Sequence, residues 1–425
     1  MKRSDYGVIL VAAIAMALAA CSDSSTTDSG GSDSVTITHT ITFNANGGGG
    51  TMASQTVAEG ATVSLTANSY SSGGFAFKGW AKTSNATNAT YSDSASYTMG
   101  STDVTLYALW STTWSTPTYA QLLAEGYIGT VAIGTKGTTI SYGLTTTQCT
   151  TELTTYLSPY RIGQYEVTYE LWYTVRTWAE SNGYTFGYKG IEGNDGTAGE
   201  APTSSARLEP VTTVNWRDSM VWCNAYTEWY NAQNGTSLTC VYCTDTSYGT
   251  PVRVSDRTTT LSTTSGTYDA PCVNASATGF RLPREIEWQY AATEAGVLSY
   301  NYVSGDRSAE YDTSTVVGNY AWYGSNASSA THTVGTRTAN ALGLYDMSGN
   351  VFELCFDWFS LWSTSQPYSG VTDYSREKND GVYLSRVRRG GSWYADAMYL
   401  RVGYRMSSAP STADKTLGFR VCQSQ

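Results

Sequence analysis

The stretch Gly343 to Glu353, reading GLYDMSGNVFE, constrains this chain more than any other feature. It sets two carboxylates, Asp346 and Glu353, on either side of a glycine turn with free backbone carbonyls between them. Hard oxygen ligands around a tight turn suit calcium, which accepts carboxylates and carbonyls at flexible geometry. The alternative is a metal-free turn in which Glu353 caps backbone amides. Two later clusters, Arg389-Gly390-Gly391-Ser392-Trp393 and Leu417-Gly418-Phe419-Arg420, again set glycines beside large aromatics.

The other end of the chain carries an address. Met1-Lys2-Arg3 precedes an apolar run, Val8 to Ala20, that ends in Leu18-Ala19-Ala20-Cys21. A charged start with a short apolar core fits a secretory signal rather than a membrane span. The run resembles a bacterial lipoprotein signal, which implies cleavage before Cys21 and acylation of its thiol. Residues 1–21 are thus read as signal peptide. Residues 22–36 are read as a flexible tether, because Ser22 to Ser34 has no apolar residue with which to offset the entropy of ordering.

The net charge is −10 and the few Lys and Arg are scattered, which argues against nucleic acid as a partner. Leaving Cys21 aside, Cys149, Cys223, Cys240, Cys243, Cys272, Cys355 and Cys422 are odd in number, so at least one thiol is unpaired within the chain. Cys240-x-x-Cys243 has no second CxxC or paired histidines to complete a zinc set. A loop disulfide drawing in Cys272 is the favoured reading over a metal.

Residues 37–110 read as a separate unit. Ile41 to Gly48 runs from strand alternation into a glycine turn, and Phe77-Lys78-Gly79-Trp80 and Leu106 to Trp110 supply aromatics for one packed face. The unit is similar to the internalin B-type repeat, a small β-grasp module, and carries no catalytic constellation. Residues 111–125 are read as a connector.

From Gly126 the pattern changes. Val131 to Gly134 and Thr139 to Gly143 read as opening strands, followed by Tyr160-Arg161-Ile162-Gly163-Gln164-Tyr165-Glu166-Val167-Thr168. Thr168 is placed to cap a helix over Tyr169 to Ser181. A second helix carries Trp222, Ala225 and Trp229 on one face, where packing is the favoured role for the stripe. Residues 234–278 read as a Thr/Ser-rich insertion. Phe280-Arg281-Leu282-Pro283-Arg284-Glu285-Ile286-Glu287-Trp288 then opens a third helix. These motifs, in this order, resemble the formylglycine-generating enzyme/sulfatase-modifying factor family. The fold expected over residues 126–425 is therefore α+β, the C-type lectin-like fold in that family's form, preceded by the β-grasp repeat.

The resemblance implies a structural calcium held by the side chains of Asp346 and Glu353 and the carbonyls of Gly349 and Val351. It also implies where catalytic copper would sit. The family binds copper through two cysteines, a soft pair suited to Cu(I), and alignment on Gly390-Gly391-Ser392-Trp393 places them at Ala395 and Leu400. No copper and no formylglycine chemistry are expected.

What the C-terminus keeps is a frame. Trp393, Leu400, Arg401, Arg405 and Phe419 read as scaffold, and interleaved positions over about residues 390–420 read as replaceable. These are Tyr394, Ala395, Asp396, Met398, Tyr399, Gly403 and Tyr404, followed by Met406, Ser407, Ser408, Ala409, Ser411, Thr412 and Asp414. The arrangement is similar to the variable proteins of diversity-generating retroelements, which diversify a C-terminal lectin-type surface by mutating template adenines. Tyrosines beside small polar residues also resemble a paratope, giving contact area at low entropy cost. The expected protein is a surface-exposed lipoprotein of the cell envelope that binds a macromolecular ligand, a protein or a cell-surface component. A sulfatase-modifying oxidase and a structural envelope protein are the two alternatives.

Overall fold

The computed structural model describes residues 36–134, 156–360, 372–376 and 384–425. The signal peptide, Cys21, most of the tether, the strand expected at Thr139 to Gly143 and Cys149 lie outside the described residues.

The repeat is built on a four-stranded sheet in which Gln55–Ala58, Thr38–Asn44, Val104–Trp114 and Phe75–Ala81 lie side by side. Alternation fixes its inner face: Ile41 and Phe43 are buried while Thr42 between them and Asn44 after them are exposed. Trp80 is fully buried and meets Phe43 and Phe77 at ring-centroid distances of 4.8 and 5.0 Å. The boundary expected at residue 110 falls inside a strand that continues to Trp114.

The connector is ordered as well. Thr118 caps a helix, Tyr119–Glu125, whose Leu122 enters the core of the C-terminal domain. Its last residue, Glu125, is buried against Arg207, which also grips Glu170. Glu170 in turn accepts from the backbone N–H of Gly74 and from Trp114 Nε1 in the repeat. Arg207 also reaches the Gly47 carbonyl and the Ser72 hydroxyl. The repeat is thus fixed to the larger domain by one buried guanidinium and two carboxylates.

The C-terminal domain has two four-stranded sheets. One aligns Phe280–Arg281, Cys422–Ser424, Tyr160–Gly163 and Thr130–Ile133; the other aligns Met406–Ser408, Arg386–Arg389, Phe352–Trp358 and Leu417–Gly418. The helix Tyr169–Glu180 starts at Thr168, whose hydroxyl accepts from the Leu171 N–H as the sequence predicts. The helix Trp216–Asn234 starts at an Asn215 capping box, and its tryptophans pack into the largest apolar cluster. Trp172 and Trp222 stack there at 5.8 Å, with the Phe419 ring edge-on to both.

Two expectations need correction. The segment 234–278 is more than an outlying insertion, because Val241, Tyr242 and Val252 are core residues and Asn224 Nδ2 donates to the Tyr242 and Val252 carbonyls. The third helix, expected to open within Phe280 to Trp288, runs Glu285–Ala292 with Arg284 as its N-cap, so Phe280 to Pro283 lie before it. The Pro283 carbonyl instead accepts from the Phe356 N–H, tying the helix start to the central strand.

Candidate functional site

The C-terminal segment crosses the surface on a frame of buried ion pairs. Strand Arg386–Arg389 runs into Gly390 and Gly391, both in the left-handed region at φ 91° and 80°. A side chain at Gly391 would meet Leu400 and the Tyr399 carbonyl, so the turn requires glycine for space as well as for φ. Trp393 then packs down, donating from its ring nitrogen to the Lys415 carbonyl and from its N–H to the Asn350 carbonyl. Below, Arg405 holds both oxygens of Glu285 at 2.6 and 2.7 Å. Arg389 lies 3.6 Å from the same carboxylate. Burial works to raise the pKa of Glu285, but the charge and hydrogen bonds of Arg405, with the charge of Arg389, overcome it and leave the carboxyl below its usual range.

On this frame the expected scaffold positions are buried, with Leu400 and Phe419 fully so. Tyr394 is 74% exposed and Met398 40%; Asp396, Ala409, Thr412 and Asp414 are exposed, while Tyr399, Tyr404, Met406, Ser407 and Ser411 are half-buried. Ala395, Gly403 and Ser408 are corrected: all three are buried and present little or nothing to a ligand. Gly403 faces Tyr300 too closely for any side chain, and its N–H donates to the Tyr300 carbonyl. Ser408 sits in the edge strand opposite Arg386.

Tyr399 and Tyr404 meet edge to face at 5.0 Å, and Arg401 lies over the Tyr404 and Tyr311 rings. Tyr311 belongs to a wall, residues 300–324, that the sequence did not single out. The Gly324 N–H donates to the Ala395 carbonyl, and Tyr311, Tyr320 and Tyr323 pack on the small apolar cluster that contains Leu400. Beside it, the Trp322 ring is stacked between His332 at 3.6 Å and the Arg337 guanidinium at 3.4 Å. These contacts join residues far apart in sequence, and no local pattern marks them.

The calcium loop is organised around a different cation. Both Glu353 oxygens are taken by Arg420, at 2.6 Å each, and one also accepts from Trp288 Nε1 at 2.8 Å. Asp346 accepts from the Gly335 N–H through Oδ2, while its buried Oδ1 has no hydrogen-bond partner. Calcium takes six to eight oxygens, and here the expected set of Asp346, Gly349, Val351 and Glu353 has lost Glu353 to Arg420. The arrangement does not fit that ion. Among the described residues no group of three or more His, Cys, Asp and Glu side chains is placed to hold a metal. A nearby acid, Glu166, accepts from Val351 N–H and Asn350 Nδ2. Burial, with Asp346 and Glu353 close by, holds its pKa well above the ordinary value.

Ala395 and Leu400, where the sequence resemblance leads one to expect the copper cysteines, are both buried, and Leu400 packs against Val303, Val317 and Ala321. Cys355 and Cys422 lie in the interior of another apolar cluster.

The sulfatase-modifying factor enzyme 1-like domain matches residues 125–425, and the Listeria-Bacteroides repeat domain matches residues 39–109. The chain belongs to the sulfatase-modifying factor family. Its larger domain has that family's C-type lectin-like fold. It is 27% identical to the chaperone protein LppX of Paenibacillus barcinonensis over 63% of this chain and 81% of that protein. The formylglycine-generating enzyme of Streptomyces coelicolor is 33% identical over 33% of this chain and 46% of its own. The inactive Cα-formylglycine-generating enzyme 2 of Bos taurus is 32% identical over 33% and 43%. The chain thus spans less than half of either formylglycine-type relative. Among solved structures, Treponema denticola variable protein 1 superposes with a TM-score of 0.54 at 29% identity, covering 70% of this chain and 95% of that one. Family membership is compatible with a non-enzymatic role, since inactive relatives exist.

Proposed function

We propose that this protein is a lipoprotein of the bacterial envelope, anchored through Cys21, that holds a macromolecular ligand on its C-terminal face and performs no oxidation there. The observation that carries the reading is Tyr394. It is 74% exposed, yet the backbone beside it is fixed by the Gly390-Gly391 turn, buried Trp393 and the Glu285–Arg405 pair. A large aromatic side chain kept in water on a rigid base loses little entropy when a partner covers it. Asp396, Met398, Tyr399 and Tyr404 extend the same stretch. The likeness to a variable protein supports a face that changes between copies, and the likeness to a protein named a chaperone is in keeping with a protein ligand.

An oxidase reading needs two thiolates for copper. Ala395 and Leu400 offer no donor atom. In this reading the lipid on Cys21 is the anchor; no helix among the described residues is long and apolar enough to cross a membrane.

The test applies labelled full-length protein to intact bacterial and host cells, beside a variant carrying Tyr394→Ala, Tyr399→Ala and Tyr404→Ala. Retention should drop at least tenfold while cooperative melting is kept, and equal retention of the two proteins would sink the proposal. With copper, oxygen, a reductant and a cysteine peptide of the sulfatase type, no formylglycine product should form.

A further inference from the structure

Three thiols of the 234–278 segment take no part in the face described above. Strands Tyr242–Cys243 and Cys272–Val273 pair antiparallel with Cys243 directly opposite Cys272. Residues opposite one another in such a pair project from the same face, with Cα atoms about 4.5–5.5 Å apart. A disulfide takes Cα separations of about 4.4–6.8 Å, a range that includes this spacing. The register is held independently of the cysteines: the Asn274 N–H donates to the Val241 carbonyl at 2.8 Å, and Asn224 fixes Tyr242 from the neighbouring helix.

The third thiol is engaged elsewhere. Cys240 Sγ lies 3.6 Å from the Asn224 carbonyl. Cys243 Sγ contacts the carbonyls of Cys240 and Tyr248, and Cys272 Sγ lies 3.3 Å from Ser265 Oγ. The three thiols are no metal site by the geometry of the described residues. Access differs between the paired two. Cys243 has no exposed surface, whereas Cys272 lines an open cavity of about 450 Å³ together with Tyr248, Ser265 and Trp358.

We infer that Cys243 and Cys272 are a redox-linked pair, closed to a cross-strand disulfide by a small-molecule or protein disulfide that enters at Cys272. In the first step the Cys272 thiolate attacks one sulfur of the oxidant. This forms a mixed disulfide and releases one oxidant thiol, which takes up a proton. In the second, Cys243 loses its proton and attacks the Cys272 sulfur, releasing the second oxidant thiol. Two electrons pass from the two cysteines to the oxidant, whose disulfide leaves as two thiols. The product closes residues 243–272 into a ring, which restricts the unfolded chain more than the folded one.

Full-length protein reduced with dithiothreitol, freed of reductant and incubated with oxidised glutathione would be alkylated without further reduction, digested and mapped by mass spectrometry. The expected result is one species joining the Cys243 and Cys272 peptides, lighter than their sum by two hydrogens and separated by dithiothreitol. The melting temperature should rise on oxidation, and Cys272→Ser should remove both the linked species and that rise. A Cys240–Cys243 link, a lasting glutathione adduct on Cys272, or alkylation of both Cys243 and Cys272 would each overturn the inference, and none of these readings depends on a variant folding.

Discussion

Arg207 closes on Glu125 with two hydrogen bonds, 2.6 and 2.8 Å, across 82 residues of sequence, and with this grip turns the stretch between two domains into a joint. Glu170 completes the site at 2.6 Å. Two carboxylates face one guanidinium, and burial pushes Glu125 up to about 8, opposed by the Arg207 charge and hydrogen bonds and reinforced by Glu170.

Removing the cation should therefore cost more than removing an ordinary surface charge. Arg207→Ala leaves two buried acids without their partner and is expected to destabilise by about 3–5 kcal/mol. Arg207→Met, which fills the space, should cost less. Urea unfolding followed through intrinsic tryptophan fluorescence checks both, and an unchanged midpoint for Arg207→Ala would contradict the joint.

Stability should fall as pH rises from about 4 toward 7. Burial raises Asp218 and Asp357 to about 6 and Glu209 to about 7. A raised carboxyl binds more protons folded than unfolded, so its contribution is full below the unfolded value and is lost as pH climbs through the folded one. Glu285 and Glu287 are lowered despite burial, by Arg405 and Arg281 respectively, and their contribution is lost as pH falls below the ordinary carboxyl range. The two trends place the optimum near pH 5, and a melting curve recorded from pH 3 to 8 tests the sign.

The Arg420–Glu353 pair gives a prediction about calcium. With Glu353 spent on Arg420, calcium and chelator should leave the melting temperature of metal-stripped protein unchanged. Arg420→Ala is expected to cost about 3–5 kcal/mol in both conditions. Stabilisation of about 2.7 kcal/mol at a hundredfold excess of calcium over its dissociation constant would restore Asp346, Gly349, Val351 and Glu353 as ligands.

Diversification predicts a gene arrangement. A near-copy of the 3′ end should lie close by, next to a reverse transcriptase gene, with differences at template adenines mapping to Tyr394, Asp396, Tyr399, Tyr404 and Ser407. All five are exposed or half-buried. Genome sequencing of the locus checks it; with no such copy the face is a binder of fixed specificity.

Lipid attachment is checked by labelling cells with a palmitate analogue. Cys21→Ser should abolish the label, and undiminished labelling would remove the anchor from the proposal.

The sequence by itself determined the fold. Glycines at 390 and 391, the Thr168 cap and the alternation of Ile41 and Phe43 act over a few residues, and such short-range demands are written in local spacing. It also marked Trp393, Leu400 and Phe419 as frame and Tyr394 and Asp396 as surface. Only the tertiary structure decided how charges far apart in sequence share the interior. The spacing of Asp346 and Glu353 suits a metal, but in the fold both Glu353 oxygens accept from Arg420, 67 residues away in sequence. Ala395 and Gly403 lie beside the exposed Tyr394 and the half-buried Tyr404, yet segments contributed by residues 300–324 cover them. Residues 111–125 read as a connector, but Arg207 draws its last residue into the core. In each case the deciding contact spans many residues, and a buried charge is stable only where folding brings its partner.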